Sequence, residues 1–319
     1  MFAKTNIRFW LILFIILAGI AVVITLVDRK KGERSFRKEL FDIDSAEVTS
    51  VSIYPKGKMD QGIQLQKEGN KWQVRSQKES YPADTNFIRN LLQTLRSVKP
   101  EGVMGIDPSS WNDFQVSDTT GTHVLIEQGK KVSADFTVGR VSFSQPPQQM
   151  AGRNRNPIVK SHIRVADDDK VYLVDGYLSL MFPAQESYYR NKTLCKFRKE
   201  LATQLTFTYP GDSSFTVQKI NGHWLLDGLG ADSAAMETYL RGISTMNGTE
   251  FADESSQAMP FLFKLRIDGD NMPFIEIHGA KAEPAKLYFV KSSVNPTATF
   301  KSNTPQLFNR IFAGKKKFR

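Results

Sequence analysis

The segment IQLQKEGNKWQV at residues 63–74 returns as FTVQKINGHWLL at residues 215–226. Each copy alternates apolar and polar residues, breaks at a polar turn, and carries a tryptophan, Trp72 or Trp224, after the turn. Alternation on both sides of a short turn predicts a β-hairpin. Because the hairpin recurs about 150 residues later, the sequence predicts two related units, each with its tryptophan as a core anchor.

A helix is predicted after each hairpin. An Ala-Asp pair, ending at Asp84 or at Asp232, precedes a run in which apolar residues return every three or four positions. That spacing places them on one helix face. An aspartate just before the first turn can accept hydrogen bonds from backbone N–H groups that have no partner within the helix. Both aspartates are therefore predicted as helix N-caps rather than catalytic acids.

Further apolar segments extend the match between the two halves. Residues 124–126, 136–139 and 171–174 are expected to correspond, in that order, to residues 263–267, 274–277 and 286–290, and short apolar helices are expected at 177–182 and 307–312. Short alternating strands joined by short turns predict mostly antiparallel sheets. The predicted fold class is α+β: an N-terminal transmembrane helix followed by two repeated units of mostly antiparallel sheet with a packed helix.

The N-terminal prediction rests on residues 9–27, an uncharged run reading FWLILFIILAGIAVVITLV. As a helix this run measures roughly 28 Å, close to the hydrocarbon thickness of a bilayer. A cleaved signal peptide would have a shorter apolar stretch and a small-residue cleavage site, so a retained anchor is predicted. Four basic residues after the run suit anionic lipid head groups at the membrane surface: Arg29, Lys30, Lys31 and Arg34.

The charge of the chain does not indicate nucleic-acid binding. Lysine and arginine number 43 against 33 aspartates and glutamates, a formal net charge of +10. The excess lies at the two ends, in residues 1–38 and 315–319, and the remaining chain has equal numbers of basic and acidic residues. A neutral body lacks the broad positive surface that phosphate backbones require.

One stretch of the first half has no counterpart in the second. Residues 140–157 are rich in Pro, Gln and Asn, where the second half has only a short connection at 279–284. Long insertions of this composition are usually functional or disordered. The basic cluster of the body falls on or beside it and forms a candidate partner-binding loop, with a solvated mobile loop as the alternative: Arg140, Arg153, Arg155, Lys160 and Arg164.

These features define four predicted regions. They are residues 1–38, with a tail, the anchor and a basic juxtamembrane segment; residues 39–196, the first unit with a loop insertion at 140–161; residues 197–314, the second unit; and residues 315–319, a basic tail.

No catalytic residue, cofactor site or metal site is predicted. The four histidines, at 123, 162, 223 and 278, have no second ligand at metal-binding spacing. The single cysteine, Cys195, is expected to be a small buried residue. No P-loop, dinucleotide fingerprint or nucleophile elbow occurs. The acidic clusters at 167–169 and 268–271 are interpreted as hairpin turns.

The order of several short motifs resembles a bacterial family catalogued as domain of unknown function number 4340, over most of residues 39–290. The motifs are ELFDI at 39–43, WQV at 72–74, PAD at 82–84, FTVG at 136–139, HIRV at 162–165, VYLV at 171–174 and YRNKTL at 189–194. His162 stands where the family is expected to have Tyr, and the long insertion departs from its usual short loop. No ligand contact of the family is therefore carried over to this chain at either place.

The resemblance implies an envelope protein, often associated with ABC-type transport systems of the gliding-motility kind, and it supplies no catalytic residues. We therefore expect a non-enzymatic accessory or binding protein, whose partners are the lipid bilayer and a membrane protein such as an ABC-type permease. The alternatives are an envelope-acting enzyme, such as a hydrolase, and a polymer-binding structural protein.

Two features of the sequence disagree on the side of the membrane. More basic residues follow the predicted span than precede it, which favours a cytoplasmic soluble region. A short N-terminal tail with Lys4 and Arg8 is instead typical of a signal anchor that exports the rest of the chain. Together with the resemblance, the tail favours a single-pass inner-membrane protein with a periplasmic soluble region, and the cytoplasmic orientation is the alternative.

Overall fold

A computed structural model describes residues 37–75, 79–145, 157–211, 213–252, 259–282 and 285–319. It forms two compact units, the first made of the chain up to Ser80 with Thr85–Tyr189, the second of Tyr81–Asp84 with Arg190–Arg319. Within the described ranges, no helix has the length and apolar character needed to cross a membrane. The predicted span at 9–27, and Arg29, Lys30, Lys31 and Arg34 after it, lie outside those ranges.

The first unit is built on one antiparallel sheet. Three short 3₁₀ helices, Pro108–Ser110, Leu178–Met181 and Glu186–Tyr188, lie in its connections. The strand order across the sheet is β4-β3-β2-β1-β6-β7-β8-β9-β5. The strands of this sheet and the helix, in chain order, are β1 (Ser50–Tyr54), β2 (Ile63–Glu68), β3 (Lys71–Arg75), β4 (Ser80–Pro82), α1 (Thr85–Ser97), β5 (Pro100–Gly105), β6 (Thr122–Gln128), β7 (Lys131–Ser144), β8 (Ile158–Val165) and β9 (Val171–Asp175). The edge strand β4 is the place where the division between the units falls, after Ser80.

The second unit has a sheet of the order β14-β13-β12-β11-β17-β18-β19-β20-β16, and β10 pairs separately with β15. Short 3₁₀ helices occupy Lys199–Leu201 and Lys315–Phe318. Its elements are β10 (Thr193–Lys196), β11 (Ala202–Thr208), β12 (Phe215–Ile220), β13 (His223–Leu226), β14 (Leu229–Gly230), α2 (Ser233–Ile243), β15 (Thr245–Asn247), β16 (Glu250–Phe251), β17 (Phe263–Gly269), β18 (Ile275–Ala282), β19 (Leu287–Ser292), β20 (Asn295–Ser302) and α3 (Gln306–Ile311).

The two sheets have the same strand order, position by position. In each, a four-strand meander leads into a helix, and the chain then crosses to the far edge of the sheet, directly as β5 in the first unit and, after β15, as β16 in the second. Trp72 lies opposite Lys67 and Trp224 lies opposite Lys219, and both indoles are buried. The prediction of mostly antiparallel sheets is confirmed, and the two tryptophans occupy equivalent positions in them.

The helices match as closely as the sheets. Four buried residues at the same relative spacing mark the inner face of each helix: Ile88, Leu91, Leu92 and Leu95 in α1, and Met236, Tyr239, Leu240 and Ile243 in α2. This is the i, i+3, i+4, i+7 stripe of a helix with one face in a core. Asp232 caps α2 as predicted, since its carboxylate accepts from the N–H groups of Ala234 and Ala235.

One predicted correspondence between the halves is wrong. Residues 171–174 were matched to 286–290, but the strand order makes β9 the counterpart of β20 and β8 the counterpart of β19. Both pairs are short alternating apolar strands, which sequence pattern alone does not distinguish. Hydrogen-bonded neighbours in the sheet distinguish them.

The predicted loop at 140–161 is in part a β-hairpin. Strand β7 continues to Ser144 and β8 begins at Ile158, with Val141 opposite Ser161 and Ser144 opposite Ile158. The second unit turns earlier, with Ala282 opposite Leu287, so more residues separate the last paired positions in the first unit than in the second. At both ends of the predicted loop, hydrogen bonding between β7 and β8 forms strands despite the loop-like composition.

The last five residues, predicted as a basic tail, belong to the second core. Phe318 is fully buried and its ring lies 5.1 Å from that of Tyr239 and 5.7 Å from that of Phe207. Lys315 forms an ion pair with Asp227. The segment thus has four cations and one large apolar side chain, Phe318, and burial of Phe318 holds the segment against the core.

A candidate binding cleft in the second unit

Three segments of the second unit surround an apolar cleft of about 440 Å³. They are Lys196 to Arg198 ahead of β11, Met272 to Ile275 at the start of β18, and Ser293 and Val294 in the β19–β20 turn. Each segment is held by a strand of the sheet or by β10. The cleft therefore has a fixed shape set by the sheet.

Apolar side chains form most of the cleft surface. Phe197 and Met272 pack against the core of the unit and are partly buried. Phe274 and Val294 leave 51% and 36% of their surface exposed. Covering such surface stabilises a complex by about 25 cal/mol per Å². An exposed phenylalanine beside a concave apolar surface is thus a place where a ligand gains free energy.

The rim of the cleft is positive. Lys196 and Arg198 are exposed, and within the described ranges no carboxylate lies at ion-pair distance from either. On the other side, Arg266 stacks 4.2 Å from the Phe274 ring centre, but Asp268 accepts hydrogen bonds from its Nε and from one Nη. Lys196 and Arg198 are therefore the cations left for a ligand.

Glu276, next to the cleft, is already paired. Its carboxylate contacts Lys264 at 2.6 Å, and this hydrogen bond lowers the pKa of Glu276. His278 lies 3.5 Å from the same side chain. The carboxylate stays ionised and bound within the unit, so the cleft keeps its net positive rim.

The first unit has a cleft at the equivalent position, of about 390 Å³. Its walls are again the segment before the first strand (Arg37 to Asp42), the start of β7 (Val132 to Asp135) and the turn after β8 (Val165 to Asp167). The same hydrogen bond marks both: Ala166 N–H donates to Asp135 O, and Ser293 N–H donates to Glu276 O, each at 2.9 Å. Duplication has thus produced the same cleft twice.

Side chains make the first cleft polar and self-paired. Ser133 occupies the position of Phe274, two residues before the marker hydrogen bond. Arg37 donates to Asp167 at 2.9 Å and lies 3.4 Å from Asp168. The bond from Arg37 lowers the pKa of Asp167, while Tyr172 donates its hydroxyl to Asp168. The cation of this cleft, Arg37, is therefore already paired within the unit.

Three members of the predicted basic cluster lie in the described part of the first unit, and their environments differ: Arg140, Lys160 and Arg164. Arg140 is exposed, with its guanidinium 5.1 Å from the Phe114 ring centre. Lys160 forms ion pairs with Glu101 and Asp175, and the hydrogen bond with Glu101 raises the pKa of Lys160. Arg153 and Arg155 lie outside the described residues.

Arg164, the fifth member, is only 8% exposed. Its Nε donates to the carbonyl of Val116 at 2.9 Å, one Nη donates to Asp118, and the guanidinium stacks 4.0 Å from the Trp111 ring centre. Arg164 thus fastens the β5–β6 connection onto the sheet. The positive charge of Arg164 is therefore paired within the first unit.

His162 is also held by contacts within the first unit. The ring is buried, stacks on Phe114 at 4.9 Å, and donates from Nδ1 to the carbonyl of Arg140. Burial lowers the pKa of His162, because the charged imidazolium would lose its hydration. The ring therefore acts as a neutral packing and hydrogen-bonding group.

The remaining candidate reactive groups have local partners. His123 lies 2.7 Å from Asp135 and stacks on Tyr54. Burial raises the pKa of the Cys195 thiol to about 12, which suppresses the nucleophilic thiolate. Within the described part of the chain, no cluster of three or more His, Cys, Asp or Glu could hold a metal ion.

Sequence reasoning missed the cleft of the second unit. Its segments lie far apart in sequence, and Phe274 was assigned to an ordinary strand. The only signal available was the repeat itself, which contrasts Phe274 with Ser133 once the strands are aligned correctly. What the cleft offers chemically is apolar contact surface and positive charge.

Fold and cleft define a class of protein: two tandem units of antiparallel sheet, each carrying one cleft at an equivalent position. The chain belongs to the family described as Domain of unknown function (DUF4340), whose model matches residues 72–260, more than half of the chain. The match begins at Trp72 and ends beyond β16, so it draws on both units. Neither the curated proteins nor the solved structures give a match to this chain.

Proposed function

We propose that the protein is a non-enzymatic accessory protein of the bacterial cell envelope, anchored in the inner membrane by residues 9–27 and binding a membrane protein partner. An ABC-type permease is the partner we favour, because the family resemblance implies such transport systems. The soluble units lie in the periplasm in this proposal.

The observation that carries the proposal is the open cleft of the second unit. It combines exposed Phe274 and Val294 with two cations that have no carboxylate partner within the described ranges. Apolar contact surrounded by charge is the usual composition of a recognition site, in which the apolar part contributes affinity and the charges contribute specificity. The anchor would add effective concentration at the membrane.

The test is purification of the full chain in mild detergent, with mass spectrometry of what accompanies it. We expect permease subunits to be enriched with the wild-type chain and lost with Phe274→Asp, because a charge in the cleft prevents apolar contact. Ser133→Asp, at the equivalent position of the first cleft, is the matched control and should retain them. Recovery of the wild-type chain alone would count against the proposal.

The orientation is tested separately. Protease added to intact spheroplasts should degrade the soluble units of a periplasmic protein and leave them intact if they are cytoplasmic. Loss of membrane association on deletion of residues 9–27 would test the anchor.

A further inference from the structure

The two rim cations of the open cleft are spaced like side chains of a strand. Strand β10 ends at Lys196, and Arg198 keeps an extended backbone with φ −84° and ψ 117°. In an extended chain, residues two apart point to the same side at a separation of about 6.6–6.8 Å, and the residue between them points away. Phe197, the intervening residue, packs towards the core.

The first cleft shows which chemistry satisfies a cation at this place. There Arg37, from the segment before the first strand, is held by Asp167 and Asp168 of the β8–β9 turn. In the second unit the equivalent turn carries Ser293 and Val294, which have no charge. The turn that supplies carboxylates to a cation in the first cleft therefore supplies none in the second.

The geometry points to an extended acidic peptide of a partner protein as the ligand of the second cleft, with two carboxylates two residues apart on Lys196 and Arg198. The side chain next to this acidic pair is apolar and lies against Phe274, Met272 and Val294. Carboxylates two apart in a strand have the same spacing of about 6.6–6.8 Å as the two cations. This inference rests on the proposed function and names the kind of segment that the partner presents.

An anionic lipid surface is the competing ligand, and the spacing argues against it. A phosphate head group presents one compact charge, whereas the rim presents two cations separated along a strand. The apolar surface lies directly beside these cations, as expected for a side chain adjacent to the acidic pair. Charge spacing and apolar contact are both matched by one short peptide.

The test uses the full chain in detergent and fluorescence anisotropy with two fluorescein-labelled peptides, EFELE and KFKLK. We expect EFELE to bind and KFKLK not to bind. Reversing both rim charges, with Lys196→Glu and Arg198→Glu, should weaken EFELE binding at least tenfold. The control reverses two exposed cations of the first unit, Lys130 in the β6–β7 turn and Lys131 at the start of β7, to Glu, and should bind EFELE as the wild-type chain does.

Equal binding of EFELE by the rim variant and the wild-type chain would overturn the inference, as would equal loss in both charge-reversal variants. With residues 9–27 deleted, so that the anchor cannot insert, pelleting of the chain with phosphatidylglycerol vesicles but not with phosphatidylcholine vesicles, together with no EFELE binding, would assign the rim to lipid and overturn the inference. If permease capture depends on Phe274 while EFELE fails to bind, the ligand class is wrong and the proposed function stands. If EFELE binds and no partner is captured, the proposed function fails alone.

Discussion

Removal of the Arg164 guanidinium should destabilise the first unit far more than removal of the Arg140 guanidinium, the other described arginine of the predicted basic cluster. Arg164 is 8% exposed and donates to the Val116 carbonyl at 2.9 Å. Loss of a charged hydrogen bond that leaves a buried carbonyl unpaired costs about 1.5–3 kcal/mol. Stacking on Trp111 adds about 0.5–2 kcal/mol.

The pair with Asp118 contributes little more, because the Asp118 side chain is 73% exposed and water screens it. We therefore expect Arg164→Ala to lower the free energy of unfolding of the first unit by about 2–5 kcal/mol. For a unit of this size, that loss corresponds to a decrease in melting temperature of roughly 4–20 °C.

Guanidinium-chloride unfolding followed by tryptophan fluorescence measures this effect, since Trp111 itself reports the release of the β5–β6 connection. The two units are expected to give separate transitions, so only the transition of the first unit should move. Arg140→Ala is the matched control: Arg140 is exposed and stacks only loosely on Phe114. The reasoning is refuted if the two variants differ by less than about 1 kcal/mol.

Three further predictions concern stability. Asp232→Ala removes the acceptor for two N–H groups of α2 and should cost the second unit about 1–2 kcal/mol in chemical denaturation, whereas the neighbouring Ser233→Ala should cost less than half of that. Burial holds the pKa of His162 below its ordinary value of 6.5, so the unfolded chain binds the proton first: stability should be unaffected above pH 6.5 and fall as the pH drops below it. Melting curves at several pH values should show this fall weakened in His162→Phe and unchanged in His223→Phe. Gly248→Ala places a Cβ against the Phe300 ring and should destabilise the second unit by about 1–3 kcal/mol, while Gly242→Ala, inside α2 with open space around it, should stabilise it by up to about 1 kcal/mol; calorimetry in which both variants shift the same way would contradict the packing argument.

The repeat and the fold class could be predicted because they depend on local periodicity. Trp72 and Trp224 follow the same turn at the same distance, and the helix stripes have the same spacing. The strands β9 and β19 were wrongly matched because an alternating pattern of four or five residues does not reveal which strands lie beside it in the sheet. Phe318 was misplaced for a similar reason, since its burial depends on Tyr239 and Phe207, far away in sequence.

Charge was the least predictable property of the candidate site. Arg140, Lys160 and Arg164 are all cations of one sequence region, yet one is exposed, one is ion-paired and one is buried. Their environments are set by Glu101, Asp175, Val116 and Trp111, which other strands and loops bring to them. A basic cluster in sequence thus indicates a binding surface only after each cation has been checked for a partner.

The same comparison explains why one of two equivalent clefts is the better candidate for binding. The backbone of both is fixed by the same strand order and the same 2.9 Å marker hydrogen bond. In the first cleft, Arg37 is paired with Asp167, so a ligand would have to displace an existing ion pair for little net gain. In the second, the proposed ligand would contact Phe274 and the rim cations without breaking any such pair, so less of the free energy of apolar burial would be offset. Duplication followed by a few side-chain changes is therefore sufficient to leave one cleft closed by its own charges and the other open to a partner.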